Sequence, residues 1–115
     1  MRLYGIPNCD TVKKARAWLD ARNMAYEFHD YKKAGVPEAQ LRAWIKRLGW
    51  EALVNRRGTT WRQLPDAEKA AVKDADSALA LMLAKPSVIK RPVMEAGKTL
   101  LVGFDEAQYE EALKP

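Results

Sequence analysis

An α/β fold follows from three features of the chain: a strand–helix–strand run at the N-terminus, an all-helical middle, and a strand pair with a helix at the C-terminus. The first implies a parallel strand pair joined by a right-handed crossover, and the last implies an antiparallel hairpin. Together they give a mixed four-stranded sheet. The 115 residues fit one domain around one core.

Residues 2–6 form a short strand candidate that stops at Pro7, and Asn8 is a good capping type for the helix that follows. Val12, Ala15, Trp18 and Leu19 fall on one face of that helix, which Asn23 can end. Met24 to Tyr31 alternates, with Met24, Tyr26 and Phe28 on one side, as a strand does. Pro37 then suits a first helical position, and Leu41, Trp44, Ile45 and Leu48 make an apolar stripe ending at Gly49. A shorter segment from Trp50 to Val54 precedes the loop Asn55 to Thr59. Pro65 to Lys73 reads as a helix, and Asp76 can cap another that Pro86 stops. Pro92 to Glu95 and Lys98 to Phe104 flank Ala96-Gly97 as a hairpin, and Asp105 with Gln108 approximates a capping box for a last helix that buries Ala107, Tyr109 and Leu113. This order describes one domain over residues 1–115, a thioredoxin-like core of 1–32 and 87–115 with an inserted helical lobe at 33–86.

Composition narrows the function classes. Apolar residues make up 48% and charged residues 30%, as in ordinary globular proteins. No apolar run approaches a membrane span, and no signal-peptide core is present. The net charge of +5 comes from 20 basic and 15 acidic residues that are interspersed, which favours anionic small molecules over nucleic acid as partners. A single cysteine cannot form an internal disulfide, so a reducing cytoplasm is the expected location.

That cysteine, Cys9, lies in or beside the first turn of a helix, where unpaired N–H groups favour a thiolate. A small buried hydrophobe is the plainer reading of a lone cysteine. Against it stand the Pro7-Asn8 turn, the helix start and Lys13 one turn on. A helix end contributes ~0.3–1 kcal/mol, up to ~2 when partly buried. Lowering a thiol pKa by about two units needs roughly 2.7 kcal/mol. Cationic side chains should therefore converge on the sulfur, and Asp10 acts in the opposite sense. Arg56 and Arg57 beside Gly58 can wrap a carboxylate or oxyanion, or can belong to a solvated loop in which Thr60 caps the short turn Trp61 to Leu64. X-Pro bonds are cis in only ~5–6% of cases, so composition alone favours a trans Pro92 with Arg91 as a surface charge. His29 reads as a solvated strand residue, and no group of residues has metal-ligand spacing.

Gly5-Ile6-Pro7-Asn8-Cys9-Asp10-Thr11, Arg57-Gly58-Thr59-Thr60-Trp61-Arg62 and Arg91-Pro92 resemble the arsenate reductase (ArsC) family over nearly the whole chain, and within it the YffB-type glutathione-dependent thiol reductases. The resemblance implies a thioredoxin-like fold, a catalytic Cys9, a cis peptide before Pro92, and anion binding by Arg91 and Arg57. Arsenate-reducing members carry histidine where this chain has Gly5 and arginine where it has Lys13. They also carry a third arginine in the region of Gly103 and Phe104. These departures argue against arsenate as the natural substrate. Spx-type regulators, a related branch that binds RNA polymerase, often have a second cysteine where this chain has Val12. The expectation is a monomeric glutathione-dependent monothiol reductase. Cys9 is its nucleophile, the Thr11 hydroxyl and Lys13 support the thiolate, and Arg57, Arg91 and Pro92 line the glutathione or substrate site. It holds no bound cofactor or metal, takes glutathione as co-substrate, and can use a glutaredoxin as reducing partner. Arsenate reduction and an Spx-like regulatory role are the alternatives.

Overall fold

β1 (Arg2–Gly5), β2 (Glu27–Asp30), β3 (Val93–Ala96) and β4 (Thr99–Val102) form one sheet, ordered β2-β1-β3-β4, in the computed structural model of the chain, which describes residues 1–114. β2 runs parallel to β1, with Leu3 opposite Phe28. β3 runs antiparallel to β1, with Leu3 opposite Met94, and pairs antiparallel with β4. The sheet is mixed and thioredoxin-like, as the strand–helix–strand and hairpin patterns require. The helices are α1 (Asp10–Ala21), α2 (Tyr31–Ala34), α3 (Glu38–Leu48), α4 (Trp50–Leu53), α5 (Thr59–Arg62), α6 (Asp66–Ala71), α7 (Ala75–Ala84) and α8 (Glu106–Leu113), with a 3₁₀ turn at Pro86–Val88. Among the described residues no helix is long and apolar enough to cross a membrane.

The chain divides into two units, one of Met1–Gly35 with the segment from Arg91 onward, the other of Val36–Lys90. In the first, Leu3, Ala15, Trp18, Leu19, Met94 and Tyr109 make the core, with Met24, Tyr26, Phe28 and Phe104 packed on it. Each large apolar side chain buried there stabilises by about 1.5–3 kcal/mol. The Tyr109 ring meets Trp18 and Phe104 edge-on, at centroid distances of 5.6 and 4.8 Å. Tyr4 pairs with His29, Glu95 sits two places along from Val93, and all lie on the opposite sheet face. The Tyr4 hydroxyl donates to Glu95 Oε1 at 2.6 Å. His29 is half-buried rather than solvated, packed between Tyr4 and Tyr31, with Nε2 2.8 Å from the Gly35 carbonyl.

In the second unit α3 packs on α4 and α7, burying Leu41, Trp44, Leu53, Leu79 and Met82. Ile45 is only partly covered and Leu48 is exposed, so the α3 stripe is narrower than its sequence spacing suggests. Backbone bonds from Asn55 N–H to the Val88 carbonyl and from Lys90 N–H to the Leu53 carbonyl, both 2.7 Å, tie residues 86–90 to this unit. Several element starts differ from expectation. Asp74, not Asp76, caps α7: its carboxylate accepts the Ser77 N–H at 2.8 Å and the Ser77 hydroxyl at 2.7 Å. Asp105 is the N-cap of α8 but makes no side-chain cap, and Ala107 is exposed. The hairpin turn is Gly97-Lys98, where Gly97 takes φ +59°, a conformation suited to glycine.

The Asp74 cap carries a pH signature. Ser77 holds this carboxyl below its ordinary value through backbone and side-chain hydrogen bonds. A depressed carboxyl contributes stability above its unfolded pKa and loses it as pH falls through the folded one. Asp74→Ala is expected to lower the thermal midpoint at pH 7, with the deficit shrinking on acidification. Thermal melts of both proteins from pH 7 to pH 3 check this.

Candidate active site

Cys9 occupies the N-cap of α1, with extended backbone angles (φ −145°, ψ 124°), and its thiol is partly accessible. The sequence points to Asn8 as the cap. β1 ends at Gly5 and the turn through Pro7 and Asn8 brings the chain into α1 one residue later, so Cys9 rather than Asn8 holds the N-cap position. The carbonyl of Cys9 accepts the Lys13 N–H at 2.9 Å, the first helical bond.

Burial pushes the thiol up. The N–H of Val12, the Arg91 guanidinium as donor and as charge, and the N–H of Thr11 pull it down, and the balance leaves Cys9 below the ordinary cysteine value. No strict side-chain cap hydrogen bond closes on the sulfur. The helix N–H groups therefore act on its charge without tying it down, which suits a nucleophile that must leave the cap to react.

Arg91 is half-buried, immediately before Pro92, and the Arg91-Pro92 peptide is cis. Both facts depart from composition, which favours a trans bond and a surface charge, and agree with what the family resemblance implies. Pro92 is buried, and its carbonyl accepts the Gly103 N–H at 2.8 Å. Gly103, at φ +80°, and Phe104, packed on Tyr109, serve the fold at the positions where the third arginine is expected.

Cys9, Thr11 and Arg91 thus come together, but Thr11 contributes its backbone N–H where the sequence points to its hydroxyl. Lys13 is exposed, and the cation acting on the sulfur is Arg91. Arg57 belongs to the other unit. It is exposed on the turn where its N–H bonds Asn55 Oδ1 at 3.2 Å, and it lines a surface cavity of ≈ 470 Å³ with Asn55, Arg56, Lys90 and Glu51. Sequence reading treats Val12 as a core residue only. Its second role follows once Cys9 is the cap, because position N3 is where a cap's acceptor is met.

The ArsC family model matches residues 4–112 of the chain. The chain belongs to the ArsC family. This is a thiol-reductase family, and the solved structure of the YffB (PA3664) protein resembles the chain with a TM-score of 0.92 and 53% identity over 97% of each. An arsenate reductase (ArsC) related protein from Brucella melitensis gives a TM-score of 0.76 and 52% identity, covering 99% of this chain and 94% of that one. An uncharacterized protein of Haemophilus influenzae is 41% identical over 110 residues, 96% of each chain. The global transcriptional regulator Spx of Enterococcus faecalis is 27% identical over 116 residues, covering 98% of this chain and 86% of Spx. The ArsC fold therefore serves more than one role, and the residues around Cys9 have to decide between them.

Proposed function

We propose that this chain is a glutathione-dependent monothiol reductase of the cytoplasm, with Cys9 as its nucleophile. The observation that carries the reading is the convergence of Arg91 and the first N–H groups of α1 on the sulfur of the chain's single cysteine. A regulator that only binds a partner has no need of a depressed thiol.

In the proposed cycle the Cys9 thiolate attacks one sulfur of a substrate disulfide. A Cys9–substrate disulfide forms, the substrate S–S bond breaks, and the departing thiolate takes a proton from water. A glutathione thiolate then attacks the Cys9 sulfur of that mixed disulfide, the S–S bond to the substrate breaks and the second substrate thiol leaves, so that Cys9 is joined to glutathione. A second glutathione, or a glutaredoxin thiol with its own resolving partner, frees the Cys9 thiolate. The sum is one disulfide reduced to two thiols and two glutathiones oxidised to glutathione disulfide. Because the chain has no second cysteine, each resolving thiol comes from outside. Arg91 serves twice, holding the thiolate and gripping an anionic group of the substrate or glutathione, and Arg57, in the other unit, is an exposed guanidinium fork suited to a carboxylate.

The test is the alkylation rate of Cys9 against pH, followed by turnover of a glutathione mixed disulfide with glutathione. A midpoint below the free-cysteine value of ~8.5 with turnover supports the reading. An ordinary midpoint with no turnover dismisses it. The similarity to the Brucella protein favours arsenate reduction as the second reading. Arsenate-dependent oxidation of glutathione in the presence of glutaredoxin distinguishes it.

A further inference from the structure

We propose that Gly5 is a positioning residue for Cys9: having no side chain at the end of β1, it lets the first turn of α1, with the Val12 backbone N–H, pack close against β1 beside the sulfur. The inference rests on Cys9 being the reactive thiol of the preceding section. Gly5 is buried. A Cβ placed on it would lie 2.9 Å from Val12 Cγ2, and 3.9 Å from both Val12 Cγ1 and Arg91 Cβ. The first distance is shorter than real Cβ contacts, so something must shift. The need for glycine here comes from close approach, since Gly5 is not among the residues with positive φ.

What shifts matters because of what each neighbour does. Val12 is fully buried at position N3 of α1, and its backbone N–H is one of the groups that pull the Cys9 thiol down. A valine in a helix has one strongly preferred χ1 rotamer, so Cγ2 has no alternative place to swing. Buried surroundings packed to crystal-like density leave little slack. A methyl at residue 5 therefore pushes the first turn of α1 away from β1, and the Val12 N–H with it. The other neighbour, Arg91, supplies the guanidinium that acts on the same sulfur. Its Cβ, at 3.9 Å, is at ordinary van der Waals distance and accommodates a methyl at residue 5, so the displacement falls on Val12 and the first turn of α1. The charged groups concerned are Arg91 ahead of β3 and, on α1 itself, Asp10 and Lys13.

The experiment measures the pH profile of Cys9 alkylation by iodoacetamide, with thermal melts, in the wild type, Gly5→Ala and Gly5→Ala/Val12→Ala. Gly5→Ala is expected to move the profile to higher pH and to slow alkylation at pH 7 several-fold. The double variant removes the Cγ2 that the new methyl meets, while keeping the residue-12 N–H, and is expected to return toward the wild-type profile. A folded Gly5→Ala with an unchanged profile overturns the proposal. So does a folded double variant that stays as slow as the single one. If the single variant does not fold, the double variant decides on the same criterion, a wild-type-like profile supporting the proposal and a slow one overturning it. A wild-type thiol that titrates like free cysteine removes the functional reading itself, and the positioning role with it. A low wild-type midpoint with an indifferent Gly5→Ala removes only the positioning role.

Discussion

Cys9→Ser is expected to abolish reductase turnover while leaving the folded state as stable as before, or more so. Serine is among the preferred N-cap residues, and its hydroxyl can accept the N–H groups at N2 and N3 that the larger sulfur faces without a strict cap bond. At acidic pH, where the wild-type thiol is protonated, the variant should be stabilised by roughly 0.5–1 kcal/mol. In a domain of this size that corresponds to a rise of roughly 2–6 °C in thermal midpoint. The advantage should narrow as pH rises. A thiol whose folded pKa is depressed adds stability above its unfolded pKa, and that contribution is lost as pH falls through the folded one. Wild type should therefore gain on the variant between neutral pH and about pH 8.5–9, the unfolded cysteine range. Melts of both proteins from pH 5.5 to 9.5 read the crossing directly. Turnover retained in the variant, or a large loss of stability at every pH, would return Cys9 to the role of a packing residue.

How far this site can be read from residues alone depends on the range of the interaction. Val12, Ala15, Trp18 and Leu19 announce α1 because helix period and burial coincide there, and all four are buried. The alternation from Met24 to Tyr31 is also real, since Met24, Tyr26 and Phe28 do pack on the core. The ladder of β2 nevertheless spans only Glu27–Asp30, because β1 offers only four partner residues. Cap choices fail in a different way. Asp74 and Asp76 are equally good by type, and what decides is Ser77, whose hydroxyl can return to the Asp74 backbone only from three positions on. The same local ambiguity separates Asn8 from Cys9. Arg91 is the extreme case. Nothing in the Lys90-Arg91-Pro92 sequence indicates a guanidinium beside a sulfur, because that proximity is made by pairing β1 with β3 and is invisible to any local pattern. Only the family resemblance pointed there. Gly5 lay in plain view as a difference from arsenate-reducing relatives, but its reason, the contact with Val12, needs coordinates.

Arg91→Ala is expected to cost roughly 10- to 100-fold in kcat/KM at pH 7, the worth of one hydrogen bond to a charged group at about 1.5–3 kcal/mol. Because the thiol is partly accessible, solvent screening places the thiolate share of that loss toward the low end. The sign with pH separates the two tasks assigned to the residue. With the guanidinium gone, burial still raises the Cys9 thiol, while only the Val12 and Thr11 N–H groups oppose it. The ascending limb of the rate profile should move to higher pH, and raising pH should restore whatever fraction of the rate was lost to protonation. Any deficit that persists on the high-pH plateau of both profiles, where the rate no longer rises with pH, measures the grip on an anionic substrate instead. Arg91→Lys sharpens the distinction. A lysine keeps the charge near the sulfur but not the planar fork, so it should recover much of the thiolate effect and little of a bidentate carboxylate contact. Alkylation by neutral iodoacetamide reports the first effect without the second, whereas turnover of a glutathione mixed disulfide reports both. Equal alkylation profiles for wild type and Arg91→Ala would mean that the α1 N–H groups alone hold the thiolate, and would leave Arg91 as a substrate-binding residue only.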